Sequence, residues 1–154
     1  KLVICNKKHA VGIKYAKKNS IPIFIINSKL RNFENLILQV LKKKRINFIC
    51  LAGFMKILSA RFIKNFGKKI INIHPSLLPN YKGLDTFNRV LKNKEKKTGC
   101  SVHYVNQNLD SGFIISKKSF SILPNDDEKI LKIKTQKLEY LAFPEAIIKI
   151  FRYS

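Results

Sequence analysis

Asn72 and His74 stand two residues apart, with Pro75 directly after the histidine. In an extended segment, residues two apart send their side chains to the same face. Pro75 restricts the backbone of His74 to extended or polyproline geometry, which limits where the imidazole points. An amide that can donate a hydrogen bond, beside a titratable imidazole, suits acyl transfer. The amide stabilises an oxyanion and the imidazole moves a proton. For an N-x-H pair alone, a structural histidine next to a turn asparagine is the default reading. Asp110 lies in the turn Asn106-Gln107-Asn108-Leu109-Asp110-Ser111-Gly112. It reads either as a turn former or as a partner that raises the pKa of His74. His103, at mid-strand, reads as a core histidine or as a second partner for Asp110.

The chain carries no G-x-S-x-G, no G-x-G-x-x-G and no P-loop, and no cysteine stands in a nucleophile context. Cys5, Cys50 and Cys100 are widely spaced and form neither a CxxC pair nor a metal-ligand spacing. They read as reduced thiols, and no metal is expected.

The elements that must position these residues alternate. Apolar, β-branched runs predict strands over residues 2–5, 23–26, 46–51 and 69–73. Helices are predicted between them. One covers residues 10–18. A second covers 32–44, with Phe33, Leu36, Ile37, Val40 and Leu41 on one face and Asn32 as candidate cap. A shorter one starts at Ser59 and runs to Phe66. Residues 75–83 read as loop and 85–91 as helix. Strands over 100–105 and 113–122 flank the Asp110 turn. An acidic start at Asn125-Asp126-Asp127-Glu128 opens a long C-terminal helix, in which Pro144 predicts a kink or a break. Strand–helix alternation argues for an α/β protein with a doubly wound, mostly parallel sheet, whose site lies at the carboxyl ends of strands. Gly53 and His74 both fall just after predicted strands.

The chain has 154 residues, 45% of them hydrophobic, enough for one domain with a full core. No apolar run approaches the roughly 20 residues of a membrane span, so a cytoplasmic protein with no membrane partner is expected. The net charge is +22. Nucleic-acid binding is one reading of that charge. Compositional drift is the favoured one, because Lys, Asn, Ile and Phe are abundant together and the lysines are scattered. A positive field still attracts anionic substrates.

Four blocks carry a resemblance: Leu51 to Ser59, Asn72 to Pro79, Gly99 to Val105, and Leu109 to Gly112. Their order and spacing resemble the phosphoribosylglycinamide formyltransferases, out to Glu139 and Pro144. The resemblance implies a three-layer α/β formyltransferase fold in a single domain spanning 1–154. It implies transfer of a formyl group from 10-formyltetrahydrofolate, as co-substrate, to the amine of glycinamide ribonucleotide in purine synthesis. The amine attacks directly, with no metal and no covalent intermediate. In that reading Asn72 holds the formyl oxygen, His74 donates a proton and stabilises the oxyanion, and Asp110 raises the pKa of His74 and holds it charged or oriented. His103 and Ser101 stand behind them. Met55, Lys56, Ile57 and Leu58, with Asn72, contact the folate. Gly53, Pro75, Gln136, Lys137, Leu138 and Glu139 contact the ribonucleotide.

Departures from the family pattern set further expectations. The family's opening strand, phosphate loop and helix, a unit of roughly 30 residues, are expected to be missing, with residues 2–5 matching its second strand. Lys56 stands where the family often has Arg. A folate-contacting Arg falls on Leu30, flanked by Lys29 and Arg31. The rival readings are formyltetrahydrofolate deformylase, methionyl-tRNA formyltransferase, and a catalytically dead basic remnant that binds nucleic acid. A monomer or homodimer is expected.

Overall fold

The computed structural model describes residues 1–152. The chain divides into two compact units, residues 1–48 with 58–68, and residues 49–57 with 69–154.

In the first unit, β1 (Val3–Cys5) pairs in parallel with β2 (Ile23–Ile25), Ile4 standing opposite Phe24. The crossover between them is α1 (Val11–Lys18), which buries Ile13 and Ala16. A helical crossover is what parallel neighbours require. The amphipathic stretch forms α2 (Phe33–Lys43), with Asn32 at the cap position but without a side-chain capping bond. α2 packs against α3 (Ala60–Phe66). Ser59 caps α3 as its sequence suggests: its Oγ accepts from Phe62 N at 3.0 Å. Gly67, with φ of 61°, ends the helix in the left-handed region that glycine favours. Glu34 of α2 accepts from Ser59 N at 2.9 Å, so the cap residue also ties the two helices.

The second unit is built on a four-stranded sheet in the order β3 (Phe48–Leu51), β4 (Lys69–His74), β5 (Lys97–Tyr104), β6 (Ile114–Ser121). Ile70, Ile71, Ile73, Cys100 and Val102 are its buried apolar residues. β5 is buried from Thr98 to His103, so its polar side chains are enclosed with its apolar ones. The helices of this unit are α4 (Thr86–Lys92) and α5 (Glu128–Arg152). α5 packs on β5 and β6 and buries Leu131, Ala142, Ala146 and Ile150.

The α/β class is as expected, but the sheet is mixed. β4 and β5 pair antiparallel, as do β5 and β6. The link from Tyr104 to Ile114 is a hairpin connection, too short for the crossover that parallel neighbours need. Pro144 does not break α5, which runs through it. Proline removes the bond to the carbonyl four residues back. That residue is Tyr140, which is 75% exposed, so water can satisfy the released group. Among the described residues no helix is long and apolar enough to cross a membrane.

Candidate active site

The antiparallel register of β4 and β5 sets Asn72 opposite His103 and His74 opposite Ser101. Alternation along each strand then places all four side chains on one face. His74 is the last residue of β4, not the first beyond it, and is 6% exposed. Its imidazole is therefore held by strand backbone on one side and by Pro75 on the other.

Asp110 reaches this group from the β5–β6 turn. Its φ of 46° is left-handed, a conformation aspartate tolerates better than most residues. The turn closes over Gly112, where an added Cβ would meet the Tyr104 carbonyl oxygen at 1.7 Å. Only glycine allows that approach. Asp110 Oδ2 stands 3.4 Å from His74 Nδ1, and Oδ1 stands 3.6 Å from His103 Nε2. The Gly83 N–H donates to Oδ2 at 2.9 Å.

His103 Nδ1 lies 2.8 Å from the Tyr104 carbonyl. A carbonyl only accepts, so Nδ1 carries the proton. Nε2 then faces the Asn72 amide at 3.3 Å, and accepts from Nδ2 when the ring is neutral. With the ring neutral, that contact turns the amide nitrogen, not its oxygen, toward the cluster. One N–H of Nδ2 is engaged by His103, and the amide has a second to offer.

His74 Nε2 donates to the Tyr81 carbonyl at 2.9 Å. Both ring nitrogens thus face oxygen acceptors, and the doubly protonated ring satisfies both. Burial opposes that form and pushes the pKa of His74 below the ordinary histidine value. The Tyr81 carbonyl and the Asp110 charge push upward, and the charges of His103 and Arg89 push down. The upward influence expected of Asp110 is present, but burial outweighs it. Burial also acts to raise Asp110. The neighbouring His103, the Gly83 hydrogen bond and the nearby His74 overcome it and hold the carboxyl down at about 2.

Ser101 does not bond to His74. Its Oγ donates to the Ser76 carbonyl at 2.7 Å and accepts from Leu78 N at 3.0 Å. It pins the loop that leaves His74 through half-buried Pro75. Ser76 Oγ donates to the Asn80 carbonyl at 2.6 Å, and Lys117 Nζ donates to the Leu78 carbonyl.

The other expected site residues are spread along three segments. Gly53, with φ of 60°, begins an exposed loop after β3, the strand beside β4. Met55 and Ile57 on it are 72% and 66% exposed, and Lys56 is exposed as well. Leu58 belongs to the first unit and is buried there. On α5, Gln136 and Lys137 are exposed while Leu138 and Glu139 are half-buried. Burial raises the pKa of Glu139, which has no ion pair among the described residues. Tyr81, Gly83 and Arg89 belong to the site but carried no signal in the sequence. Tyr81 and Gly83 act through backbone groups, which every residue type possesses.

This constellation sits on a chain of matching family. The formyl transferase model matches residues 1–147. The chain belongs to the formyl transferase family. It is 41% identical over 150 residues to the trifunctional purine biosynthetic protein adenosine-3 of Drosophila melanogaster, covering 95% of this chain and 11% of that one. It is 38% identical over 149 residues to the phosphoribosylglycinamide formyltransferase of Haemophilus influenzae, covering 94% of this chain and 70% of that one. The solved phosphoribosylglycinamide formyltransferase of Campylobacter jejuni superposes with a TM-score of 0.88 at 40% identity, over 97% of this chain and 80% of that one. The chain therefore spans about a tenth of the trifunctional relative and most of each single-function one.

Proposed function

We propose that this formyl transferase moves a formyl group from 10-formyltetrahydrofolate to the amine of glycinamide ribonucleotide, a step of purine synthesis. Residues 1–154 are read as one formyltransferase domain. The observation that carries the proposal is the convergence of Asn72, His74, His103 and Asp110 on one face of β4 and β5.

The amine attacks the formyl carbon and the carbonyl oxygen gains charge. The second N–H of Asn72 donates to that oxygen. His74 supplies the other donor. Its Nε2–H is held by Tyr81, and it engages substrate by exchanging that carbonyl for the oxyanion. Developing negative charge raises the pKa of His74 and draws it toward the imidazolium, the form that Asp110 already supports. The attacking amine loses a proton and the departing folate nitrogen gains one, with His74 as carrier.

Met55, Lys56 and Ile57 are read as the folate segment, and exposed apolar Met55 and Ile57 suit a flat aromatic ligand, whereas Leu58 is buried and offers no side chain to it. Gly53, Pro75 and the stretch from Gln136 to Glu139 are read as the ribonucleotide contacts. An unpaired, half-buried Glu139 carboxylate suits hydroxyl or ammonium donors.

The test is formyl transfer by this chain with both substrates, with formate release measured in parallel without the ribonucleotide. Formylated ribonucleotide as the product supports the proposal. Formate release independent of the ribonucleotide assigns a deformylase instead. Neither product, with RNA affinity that falls linearly in log salt, assigns a binding protein.

A further inference from the structure

The His74–Asp110 pair is held from outside the two strands by one short strap. Tyr81 gives its carbonyl to His74 Nε2 at 2.9 Å, and Gly83 gives its N–H to Asp110 Oδ2 at 2.9 Å. Lys82, between them, donates through Nζ to Ser111 Oγ at 2.6 Å, beside Asp110. The strap is not relaxed chain: Tyr81 and Gly83 have φ of 56° and 77°. A non-glycine residue in the left-handed region persists only where its surroundings impose it.

Arg89 of α4 supplies much of that imposition. Its Nη2 donates to the Lys82 carbonyl at 2.6 Å, and its guanidinium lies over the Tyr81 ring, 5.6 Å from the centroid. The rest of Tyr81 is tethered separately, by its hydroxyl to Glu95 at 2.6 Å and from Asn93 at 2.9 Å. Arg89 Nε is buried and has no hydrogen-bond partner among the described residues. A helix residue chosen only for solubility would not hold a cation inward with a donor unpaired. Its fork and flat face match what the strap offers, a carbonyl and an aromatic ring, and a lysine provides neither fit.

We propose that Arg89 is a positioning residue for formyl transfer, clamping the Tyr81–Gly83 strap so that one backbone segment fixes both His74 and Asp110. The proposal rests on the reading that this pair is catalytic. Arg89 touches no reacting atom. It sets the place of the Tyr81 carbonyl, and through it the orientation of the His74 ring. Its charge also acts on His74, together with Asp110 and His103.

The test compares Arg89→Met and Arg89→Lys with the parent chain, by two readouts. The first is the nitrogen-15 titration of the His74 ring and its Nε2–H resonance in the unliganded protein, which needs no activity. The second is the steady-state kinetics of formyl transfer. Arg89→Met is expected to lose or broaden the Nε2–H signal and to move the His74 titration downward, because the Tyr81 carbonyl that favours the protonated ring counts for more than the Arg89 charge that opposes it. Its kcat is expected to fall about tenfold or more, with both KM values within about twofold of the parent. Arg89→Lys, which keeps charge without the fork, is expected to move the titration and lower kcat part-way, each less than in Arg89→Met. An unchanged His74 resonance and titration in folded Arg89→Met overturns the proposal. If Arg89→Met does not fold, an unchanged Nε2–H signal and unchanged kcat in Arg89→Lys overturn it. A parent chain without formyl transfer defeats the functional reading instead, and the His74 spectra still decide whether Arg89 positions the pair.

Discussion

His74 Nδ1 faces Asp110 Oδ2 across 3.4 Å, with the two side chains 7% and 8% exposed. The carboxylate also takes the Gly83 N–H and lies 3.6 Å from His103. It is thus the hub that joins β4, β5 and the strap. Asp110→Asn keeps the shape and removes the charge that favours the His74 imidazolium. Turnover is expected to fall on the order of 100-fold or more, with the circular dichroism spectrum unchanged. Near-parent kcat in a folded Asp110→Asn would remove Asp110 from the mechanism.

His74→Asn removes the proton carrier and leaves an amide donor. Turnover should again fall on the order of 100-fold or more. The double variant with Asp110→Asn should be little worse than either single one, since the two groups act as a unit. Fully additive losses would show that the pair does not work through its shared contact.

The acid side of the pH profile follows from the two shifts. Burial sets the His74 pKa below the ordinary value of about 6.5. The acid limb of kcat/KM for the unliganded enzyme is therefore expected below that pH. Stability follows the same sign. The lowered folded pKa of His74 contributes stability above about pH 6.5 that is lost as pH falls through the folded value. Asp110, held at about 2, contributes stability above about pH 4 that is lost as pH falls toward 2. Denaturation monitored against pH should show both losses. In Asp110→Asn the lower one should be absent, and its persistence there would assign it to other carboxylates.

Apolar runs and periodicity made β4 and α2 legible, the acidic start at Asn125 to Glu128 announced α5, and the N-x-H-Pro spacing made the shared face of Asn72 and His74 legible. Asp110 could be read as a turn former or as a partner of His74, and it is both. The sheet direction after β4 was less legible, because strand–helix alternation says nothing of which way a strand enters. Pro144 does not end α5 for a local reason: the carbonyl it releases lies on an exposed residue, where water can satisfy it. The strap was hidden because its active groups are main chain, and Arg89 because a cation on a basic helix looks like every other one in a chain of net charge +22. The role of Ser101 was half legible. Its place behind His74 is set by register, but its partners are loop backbone.

Gly112 tests whether the turn, rather than the strands, brings Asp110 to the site. A Cβ there would stand 1.7 Å from the Tyr104 carbonyl oxygen and 2.6 Å from its carbon, both rigid backbone in β5. Gly112→Ala must push the turn away from the strand end. The expected cost is at least about 1–3 kcal/mol of stability, with a loss of turnover larger than that of a distant variant of equal stability. A variant that unfolds more easily but turns over normally at low temperature would show that Asp110 reaches His74 without this close approach.

Ser101→Ala separates pinning from chemistry. It leaves the buried Leu78 N–H and the Ser76 carbonyl without the hydroxyl that serves both. The expected cost is about 1–3 kcal/mol in denaturant unfolding, because an enclosed donor and acceptor lose their partner together. Since Ser101 does not bond to His74, kcat should fall far less than in His74→Asn. The loop from Pro75 to Asn80 should show faster amide exchange, Leu78 most of all. Protection of Leu78 equal to the parent would mean that Lys117, which donates to the Leu78 carbonyl, holds the loop by itself. A kcat loss as deep as that of His74→Asn would instead place Ser101 within the reacting group.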